Sequence, residues 1–447
     1  MDKDRKYSQN NYFCNKIKIH MIIEGKKVAY ITLGCKLNFS ETSTIKHSLE
    51  NAGTQTVGEK EGADIFVINT CSVTDVAEKK GRQLIRKIIH RNPGAYVIVV
   101  GCYAQLRAKE LLEIEGVNLV LGAGDKFKVE DYLRHAEAQQ QNEPHSCNIF
   151  KLSDFDLAYS FGDRTRCFLK IQDGCDYFCT YCTIPFARGK SRSATIRQVT
   201  EAVKDVAAKG IKEIILTGVN TGDFGRGSNE NFLELLQTLE QMEEIDRFRI
   251  SSIEPNLLTD EIIEFVARSQ RFMPHFHIPL QSGSNDVLKL MRRKYDRELF
   301  ASKISHIRNV LPDAFIGVDT IVGMRGETED FFNDAANFIE TLDISQLHVF
   351  PYSERAGTKA LEIPHIVSPV EKHRRVNRLL DISDRKLQNF YNRFEGQTRK
   401  VLFEDNKVNN CICGFTDNYI RVEIPFDAQL ANQIVPIKLT SKIFRYD

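Results

Sequence analysis

The stretch Cys175-Asp-Tyr-Phe-Cys179-Thr-Tyr-Cys182 decides the fold, and it stands in a loop just after a strand-like run at 167–171. Three thiols this close cannot all be packing residues of one regular element, because their side chains would diverge. In a loop they converge on a metal ion or a metal cluster. Structural zinc sites take four ligands and ferredoxin-type clusters take four cysteines, whereas three cysteines on a four-iron cluster leave one iron open for chemistry. The motif therefore favours a cluster with one open iron, and a zinc site remains the alternative.

The strand before this loop begins a series of alternating strands and helices. The strand-like runs are residues 167–171, 213–216, 249–252, 275–280, 315–321 and 347–351, with helical runs such as 196–209, 232–242 and 331–342 between them. Six β/α units over about 200 residues predict a partial (β/α)6 barrel that is open on one side. A long charged helix at about 369–394 ends the series.

A similar alternation fills the first part of the chain. Strand-like runs at 28–33, 64–69, 96–100 and 119–121 alternate with helical runs at 41–52, 76–90, 108–115 and from about 128. This spacing predicts an α/β domain built on a doubly wound parallel sheet. The polar stretch Ala138-Gln-Gln-Gln-Asn-Glu-Pro144 breaks the pattern and predicts a linker.

Three further cysteines, Cys35, Cys71 and Cys102, each stand at the carboxyl end of a predicted strand of this sheet. The carboxyl ends of parallel strands line one crevice, which is where such sheets bind ligands. Three separate turns that bring a cysteine to the same edge therefore predict a second cluster site, again with an open iron. The alternative is that all three are small buried residues, since cysteine is often buried without a function. The other five cysteines fit no ligand set: Cys14, Cys147, Cys167, Cys411 and Cys413.

The end of the chain has a different character. Short strand-like runs at 401–403, 419–424 and 434–439 are separated by Asn, Gly and Asp residues. Strands this short and this closely spaced predict a small all-β barrel of about 50 residues.

The composition excludes some classes of protein. The 447 residues carry 61 Lys and Arg against 60 Asp and Glu, with 42% hydrophobic residues and eleven cysteines. No apolar run approaches the roughly 18 residues of a membrane-spanning helix, and the first 26 residues lack the apolar core of a signal peptide. We therefore expect a cytoplasmic protein that does not enter a membrane and in which disulfides are rare. A net charge of +1 gives no overall attraction to nucleic acid, so such a partner must be recognised by local patches.

With a CxxxCxxC loop at the top of a β/α barrel, the chain resembles the radical S-adenosylmethionine (SAM) superfamily. In that family the open iron chelates the amino and carboxylate groups of SAM, and a reducing electron cleaves the cofactor to a 5′-deoxyadenosyl radical. The resemblance implies that Cys175, Cys179 and Cys182 hold this 4Fe–4S cluster, and that Tyr181 lies against the cluster and the cofactor.

Two cluster sites on one chain resemble the methylthiotransferases of that superfamily, which combine an N-terminal cluster domain, a radical SAM barrel and a terminal β-barrel called the TRAM domain. The resemblance covers the chain from about residue 27 to 447. It implies an N-terminal extension at 1–26, a cluster domain at 27–140, a linker at 141–164, a radical SAM domain at 165–394 and a TRAM domain at 395–447. The implied cofactors are SAM and two 4Fe–4S clusters, the second of them on Cys35, Cys71 and Cys102.

Three local motifs resemble the subfamily that acts on N6-threonylcarbamoyladenosine. They are Thr32-Leu-Gly-Cys35-Lys-Leu-Asn38, Lys170-Ile-Gln-Asp-Gly-Cys175 and Pro185-Phe-Ala-Arg-Gly189. The isopentenyladenosine enzymes typically read Gly-Cys-Gln-Met-Asn at the first motif, and the enzymes that modify a ribosomal-protein aspartate read Gly-Cys-Pro-Lys-Asn. The implied reaction converts threonylcarbamoyladenosine at position 37 of the tRNA anticodon loop to its 2-methylthio derivative, with two SAM molecules per turnover. An electron donor and a sulfur source are further implied partners.

Other interpretations remain open at this point. Isopentenyladenosine in tRNA is the alternative substrate within the same class of enzyme. A non-catalytic iron–sulfur carrier or scaffold, whose basic runs contact a partner, accounts for both cysteine sets without a reaction. A zinc-stabilised RNA-binding protein is a further alternative.

Additional cofactor contacts are expected where the barrel strands end. Thr217, Gly218 and Asn220 follow the second strand, Glu254 follows the third, and Gln281 and Ser282 follow the fourth. The glycine lets the backbone approach the methionine moiety, and Glu254 is suited to the ammonium group or the ribose hydroxyls of SAM. A surface salt bridge is the alternative role for Glu254. His275 and His277 alternate on one strand, and we interpret them as structural histidines.

Local basic patches predict the RNA contacts. Arg188, Lys190 and Arg192 follow the cysteine loop, Arg292 and Arg293 follow a later strand–helix unit, and Arg325 replaces the proline of the family's usual Gly-Phe-Pro-Gly-Glu sequence. Each run alone is more often a solvated face, but several runs near the presumed active edge favour binding of the phosphate backbone. In the nearly neutral tail, Phe415 and Tyr419 are expected to stack on unpaired bases.

Overall fold

The structure is a computed structural model, and it describes residues 22–135, 144–162 and 165–446. The expected N-terminal extension at 1–26 lies almost wholly outside these residues, and so do Cys14 and part of the expected linker at 141–164. No helix among the described residues is long and apolar enough to cross a membrane. The domain boundaries stay predictions, and the short strand at 158–159 that pairs with the barrel sheet lies in the range expected for the linker.

The N-terminal domain is built on a five-stranded parallel sheet, as the alternating pattern predicts. Its strands are β1 (Lys27–Thr32), β2 (Gln55–Thr56), β3 (Ile65–Thr70), β4 (Tyr96–Gly101) and β5 (Val117–Leu121), in the order β2-β1-β3-β4-β5. Its helices are α1 (Lys36–Asn51), α2 (Asp75–Arg91), α3 (Cys102–Leu106), α4 (Ala108–Leu112) and α5 (Val129–Arg134). The sequence pattern did not indicate α3, which is only five residues long.

The strands of this sheet are apolar on both faces because both faces are covered. In β3, Ile65 and Val67 belong to one apolar core, whereas Phe66 and Ile68 belong to the other. Parallel sheets that are buried on both faces carry continuous apolar runs for this reason. The apolar runs in the sequence therefore located the strands correctly.

The second domain contains six parallel strands in sequential order, which confirms the partial (β/α)6 barrel. The strands of this region are β6 (Ala158–Tyr159), β7 (Arg166–Lys170), β8 (Gln172–Asp173), β9 (Arg192–Ser193), β10 (Glu213–Thr217), β11 (Arg247–Ile250), β12 (His275–Gln281), β13 (Phe315–Val322) and β14 (Gln346–Pro351). Strands β7, β10 and β11 pair in parallel, as do β12, β13 and β14, and single bridges at Phe248–Phe272 and Ser252–His277 join the two halves.

Helices cover the outside of this barrel. They are α6 (Ile184–Arg188), α7 (Ile196–Ala208), α8 (Phe232–Glu240), α9 (Asp260–Arg268), α10 (Asn285–Leu290), α11 (Arg297–Val310), α12 (Glu329–Thr341) and α13 (Pro369–Asn392). Along β7, Cys167 and Leu169 pack in the core beneath the helices, whereas Arg166 and Phe168 line an internal cavity. Neighbouring side chains of a strand point to opposite faces, so alternate residues supply the interior with polar groups.

The C-terminal region forms a four-stranded antiparallel sheet. Its strands are β15 (Thr398–Val408), β16 (Cys411–Thr416), β17 (Arg421–Pro425) and β18 (Ile434–Lys438), in the order β17-β16-β15-β18. The sequence did not predict β16, because glycine is disfavoured in strands. Gly414 belongs there because a Cβ would lie 2.6 Å from a methyl carbon of Val401 on the neighbouring strand. After β18 the chain crosses back to β17, where the Glu423 amide donates to the Ile443 carbonyl at 2.8 Å, so the sheet curls towards a barrel.

The N-terminal domain packs over the open side of the partial barrel. On one flank, α1 lies against β6 and β7, and the amide of Phe161 donates to the hydroxyl of Ser43 at 3.0 Å. On the other flank, the amide of Asp75 at the start of α2 donates to the hydroxyl of Ser353, just after β14, at 3.0 Å. The domain therefore spans the gap between the first and the last barrel strand and encloses the interior.

Candidate active site

The three cysteines of the CxxxCxxC motif (the barrel cysteines Cys175, Cys179 and Cys182) stand in the loop between β8 and α6. Backbone amides approach two of the sulfurs, Tyr177 N at 3.5 Å from Cys175 Sγ and Ile184 N at 3.4 Å from Cys182 Sγ. The pKa of Cys175 and that of Cys182 are both raised to about 12. Burial is the main cause, and the neighbouring thiols contribute to the rise. Converging thiols that burial keeps neutral fit a metal group, because bound iron supplies the positive charge that favours thiolates.

A buried arginine, Arg293, organises the polar side of this loop. Its Nη1 donates to Cys179 Sγ at 3.1 Å and lies 3.5 Å from the Tyr181 hydroxyl, while its Nη2 pairs with the Glu254 carboxylate. The Arg293 side chain is only 3% exposed. The prediction that Arg293 contacts RNA is therefore wrong, since the guanidinium is enclosed and paired. The same contacts bring Tyr181 and Glu254, two of the expected cofactor contacts, to the barrel cysteines.

Other expected cofactor contacts lie beyond the end of β10. The Asn220 amide donates to Gln172 Oε1 at 2.9 Å, and Asn220 Oδ1 accepts from the Glu254 amide at 3.3 Å. Asn220 Nδ2 and Thr217 Oγ1 are buried and have no hydrogen-bond partner among the described residues. Buried polar atoms are normally bonded, so these two atoms are available to a ligand.

The remaining expected cofactor contacts are less directly connected to the barrel cysteines. Gly218 lines the internal cavity beside Thr217. Gln281, at the end of β12, has a φ of +64°, and Ser282 is buried and accepts a hydrogen bond from the Ser284 amide at 3.2 Å. A cofactor contact by Gln281 or Ser282 stays a prediction.

The other three cysteines (the sheet cysteines Cys35, Cys71 and Cys102) follow β1, β3 and β4, which are neighbours in the sheet. Cys35 is the N-cap of α1, Cys71 stands in the turn before α2, and Cys102 opens α3. The pKa of Cys71 is raised, and that of Cys102 is raised to about 12. Burial is the main cause in both, and the neighbouring sheet cysteines contribute to the rise. The three thiols thus meet at the carboxyl edge of the sheet, and they form a second set that fits an iron–sulfur cluster.

Glycines fix the shape of both cysteine turns. At Gly174, where φ is +73°, a Cβ would lie 2.0 Å from the carbonyl oxygen of Lys190. At Gly34, where φ is +114°, a Cβ would lie 2.9 Å from the Cβ of Cys71. Only glycine combines these left-handed conformations with such close approaches.

The two cysteine sets adjoin each other. The Thr183 hydroxyl, next to Cys182, lies 3.4 Å from the carbonyl oxygen of Ser72, next to Cys71, and α3 packs against α6. The expectation that the carboxyl ends of the sheet and of the barrel face each other is therefore confirmed.

A second buried arginine, Arg188, lies between the two domains. Its Nη1 donates to Glu41 and to Asp173 at 2.9 Å each, and its Nη2 donates to Asn38 Oδ1 at 2.6 Å. Arg188 is 2% exposed. The prediction that it binds RNA is therefore wrong, because its donors are used between α1 and the barrel.

The carboxylate of Glu41 is the acidic centre of this buried network. Lys126 approaches it at 2.6 Å and Lys170 at 3.3 Å, in addition to Arg188. Burial opposes ionisation of Glu41, yet these three cations hold its pKa well below the ordinary value. Arg192, another expected RNA contact, donates to the Arg188 carbonyl at 2.6 Å, so it belongs to the same interface and its RNA contact stays a prediction.

The other basic residues expected at the RNA differ in their exposure. Lys190 and Arg292 are exposed, as contact with a phosphate backbone requires. Arg325 donates to Glu354 at 2.6 Å and to the Leu361 carbonyl at 2.8 Å, so its charge is already paired. All three contacts stay predictions.

The two aromatic residues expected at the RNA lie against the barrel. The Arg166 guanidinium lies 4.1 Å from the centroid of the Phe415 ring, which stacks on Tyr419 at 4.9 Å. Tyr419 in turn lies 4.5 Å from the His275 ring. Base stacking by Phe415 or Tyr419 stays a prediction, since both rings already have partners within the protein.

Sequence reasoning found some of the residues that line this cavity, Cys35, Thr217, Gly218 and Tyr419, but it missed its two cations, Lys36 and Arg166. Nothing in the local pattern marks these two cations, because they meet only when α1 lies across the barrel. The interpretation of His277 as a structural histidine agrees with its 2.7 Å hydrogen bond to Asp319.

Comparison with known proteins first defines the class. A model of the Radical SAM superfamily matches residues 169–339, and a model described as uncharacterized protein family UPF0004 matches residues 27–122. The structure of the radical S-adenosylmethionine methyltransferase TsrM from Kitasatospora setae, with tryptophan substrate and a SAM analogue bound, has a related fold. Its TM-score is 0.56 at 14% identity, over 73% of each chain. The fold is thus that of the radical SAM superfamily.

Curated relatives then define the family. The threonylcarbamoyladenosine tRNA methylthiotransferase MtaB of Bacillus subtilis (strain 168) is 40% identical, over 94% of this chain and 95% of that protein. The tRNA-2-methylthio-N(6)-dimethylallyladenosine synthase of Clostridium tetani (strain Massachusetts / E88) is 29% identical, over 92% of this chain and 93% of that protein. The chain belongs to the family of threonylcarbamoyladenosine tRNA methylthiotransferases. The expected cofactors, SAM and 4Fe–4S clusters, are those of this family.

Proposed function

We propose that the protein converts N6-threonylcarbamoyladenosine at position 37 of the tRNA anticodon loop to its 2-methylthio derivative. The observation that carries this proposal is the contact between the two cysteine sets, made by Thr183 and Ser72. A carrier that stores or passes clusters does not need two three-cysteine sites that face each other. A zinc-stabilised RNA-binding protein needs neither set in this arrangement, since structural zinc takes four ligands.

The reaction replaces an aromatic C–H bond by C–S–CH3, and no general base removes that hydrogen. When bound, the two 4Fe–4S clusters and two molecules of SAM supply the methylthio group and the radical that this chemistry requires. The sheet cysteines and the barrel cysteines would each hold one of these clusters. Their side-by-side arrangement directs both sites towards one nucleoside.

The chain's own residues position the cofactor and the substrate. The Arg293–Glu254 pair holds a carboxylate beside the barrel cysteines, where it is suited to the ammonium group or the ribose hydroxyls of SAM. The free Nδ2 of Asn220 and the free hydroxyl of Thr217 add polar groups on the same side of the barrel. Such groups, fixed before the ligand arrives, lower the cost of orienting it.

The domain contact excludes water from the side chains of Glu41 and Arg188. The N-terminal domain covers the open side of the barrel, and the buried Glu41–Arg188 network seals the seam between them. Exclusion of water protects a radical from side reactions.

The RNA partner meets the protein around this seam. Exposed Lys190 and Arg292 are suited to the phosphate backbone of the anticodon stem-loop. We assign the C-terminal sheet to the TRAM class of RNA-binding modules because its sequence matches that pattern. The reaction further needs an electron donor and a sulfur source, and it belongs in the cytoplasm, where tRNA is modified.

Mass spectrometry of tRNA nucleosides tests this proposal. Deletion of the gene is expected to abolish the 2-methylthio derivative of threonylcarbamoyladenosine and to leave that of isopentenyladenosine unchanged. A plasmid with the full chain, or with Cys411→Ser as a matched control, restores the modification, whereas Cys102→Ala does not. Persistence of the modification in the deletion strain, or loss of the isopentenyladenosine derivative instead, contradicts the proposal.

A further inference from the structure

An internal cavity of about 460 Å³ lies between the start of α1, the inner wall of the barrel and the C-terminal sheet. Its polar lining residues include Lys36, Arg166, Thr217 and Tyr419, and its apolar lining comes from residues such as Phe168. The volume is in the range of pockets that hold small ligands. The lining includes Cys35, a sheet cysteine, and none of residues 175–182. The cavity thus extends from the sheet cysteines to Thr217 and Gly218 at the edge of the expected SAM site.

Lys36 brings an unbalanced charge to this cavity. It is the first residue of α1, it is half-buried, and it forms no ion pair with a carboxylate among the described residues. The first turn of α1 contains no acidic residue, so the partial positive charge of the helix N-terminus adds to that of the lysine. Within the protein, Lys36 acts electrostatically on His275 and Tyr419, neither of which is a carboxylate.

Arg166 supplies a second cation with unused hydrogen-bonding capacity. Its side chain is 10% exposed, and its Nη2 donates to Glu404 at 3.0 Å. Its Nη1 is buried and has no hydrogen-bond partner among the described residues, since the nearest paired carboxylate oxygen, on Glu213, is 3.9 Å away. Buried donors in native proteins are normally bonded, so this nitrogen is available to an acceptor that enters the cavity.

The acids around the cavity do not neutralise these cations. Glu213 is shared by three arginines, with Arg249 at 2.8 Å, Arg247 at 3.8 Å and Arg166 at 3.9 Å. Asp319, which is bonded to the cavity residue His277 at 2.7 Å, is also bonded to His348 at 3.0 Å.

The pKa of Tyr419, which lines the cavity, shows the effect of these positive charges. Burial alone would raise the pKa of the Tyr419 hydroxyl, yet the charges of Arg166, Lys36 and Arg249 lower it below its ordinary value. A positive potential at the end of a pocket favours an anionic ligand group.

We propose that this cavity receives the N6 substituent of the substrate adenosine, and that Lys36 and Arg166 bind the carboxylate of its threonyl group. The inference rests on the proposed function and adds how the protein recognises its substrate. The carboxylate is the group that separates threonylcarbamoyladenosine from isopentenyladenosine, whose substituent is apolar. A cavity with two cations, one of which has a buried donor without a hydrogen-bond partner among the described residues, accepts the former and disfavours the latter, because an apolar substituent would leave that donor unsatisfied.

Binding measurements with the reconstituted full chain test the inference. The probes are two anticodon stem-loops that differ in one group: one carries threonylcarbamoyladenosine, and the other carries the same nucleoside with the carboxylate replaced by a carboxamide. Wild type is expected to prefer the carboxylate stem-loop by about tenfold or more, as charged hydrogen bonds to a partly buried group imply. Lys36→Gln is expected to reduce that preference to about twofold or less, and Lys36→Arg to retain most of it.

Controls separate this role from other uses of Lys36. Lys204→Gln, on the exposed face of α7, removes an equal charge elsewhere and leaves the preference unchanged. The iron content and the SAM affinity of Lys36→Gln stay at wild-type values if the lysine serves the substrate carboxylate. A fall in either shows that Lys36 serves the adjacent cluster or the carboxylate of SAM, and it overturns the inference.

The outcomes also distinguish a failure of this inference from a failure of the proposed function. If wild type prefers the carboxylate stem-loop and Lys36→Gln keeps the same preference, the inference is wrong while the proposed function stands. If wild type binds and modifies the threonylcarbamoyl stem-loop no better than one with unmodified adenosine, the proposed function itself fails.

Discussion

Arg188 of the barrel donates hydrogen bonds to the carboxylate of Glu41 in α1 at 2.9 and 3.3 Å. Both side chains are buried, so this ion pair is a contact between two domains that excludes solvent. Because Cys35 caps the start of α1 and Arg188 ends the helix that follows the barrel cysteines, the pair fixes the position of one cysteine set relative to the other.

Loss of the Glu41 carboxylate leaves three buried cations, Arg188, Lys126 and Lys170, with Asp173 as the remaining acid that they share. Glu41→Gln is expected to lower the free energy of unfolding by about 3–5 kcal/mol, the usual cost of an uncompensated buried charge. Denaturant titration of the reconstituted protein measures it. Glu201→Gln, which breaks an exposed pair with Arg197, is the matched control and costs about 0.5 kcal/mol or less. Equal effects of the two substitutions would show that the network does not stabilise the domain contact.

The buried carboxylates of Glu41 and Asp173 predict a loss of stability in acid. Burial opposes their ionisation, but the surrounding cations lower the pKa of Glu41 below 4.5 and that of Asp173 below 3.8, the values expected for the unfolded chain. The contribution of these groups is therefore complete above about pH 4.5 and is lost as the pH falls through the lowered values. Unfolding free energies measured from neutral pH downwards are expected to fall less steeply for Glu41→Gln than for wild type. Parallel curves would contradict this assignment.

The sequence predicted the two cysteine sets because they depend on the local spacing of cysteines and of strand ends. It predicted most strands because apolar residues recur with periods of two in strands and of three to four in helices. It did not predict the partners of the arginines. Arg188 and Glu41 are 147 positions apart in the sequence. The local sequence around Arg188 does not show whether its basic residues face solvent or a buried acid. Arg293 was misassigned for the same reason, whereas its neighbour Arg292 is exposed as expected.

A substitution at Gly34 tests how closely the sheet cysteines must approach. An alanine there would place a Cβ 2.9 Å from the Cβ of Cys71, at a φ of +114° that side chains rarely adopt. Gly34→Ala is expected to reduce the iron bound per chain by about half, as iron and sulfide assays show, because only one of the two three-cysteine sites is disturbed. Gly227→Ala, at a positive φ with open space around it, controls for backbone strain alone. Full iron content in Gly34→Ala would contradict the assignment of a second cluster.

Exposed and buried basic residues are expected to affect tRNA binding differently. The double substitution Lys190→Gln with Arg292→Gln should weaken tRNA binding and reduce the salt dependence of binding by about one unit of slope for each lost phosphate contact. Arg293→Gln should leave the salt slope unchanged and impair SAM cleavage, because it removes the partner of Glu254. Filter binding across a salt series compares them, and a reduced slope for Arg293→Gln would restore it as an RNA contact.

The most direct test of the two-site account measures two products of one reaction. The reconstituted protein, with reductant, a sulfide source, SAM and tRNA that carries threonylcarbamoyladenosine, is assayed for 5′-deoxyadenosine and for the 2-methylthio nucleoside. Wild type is expected to form both, Cys179→Ala neither, and Cys102→Ala 5′-deoxyadenosine without the methylthio product. Formation of the methylthio nucleoside by Cys102→Ala would contradict the claim that two adjoining cysteine sites perform the reaction together.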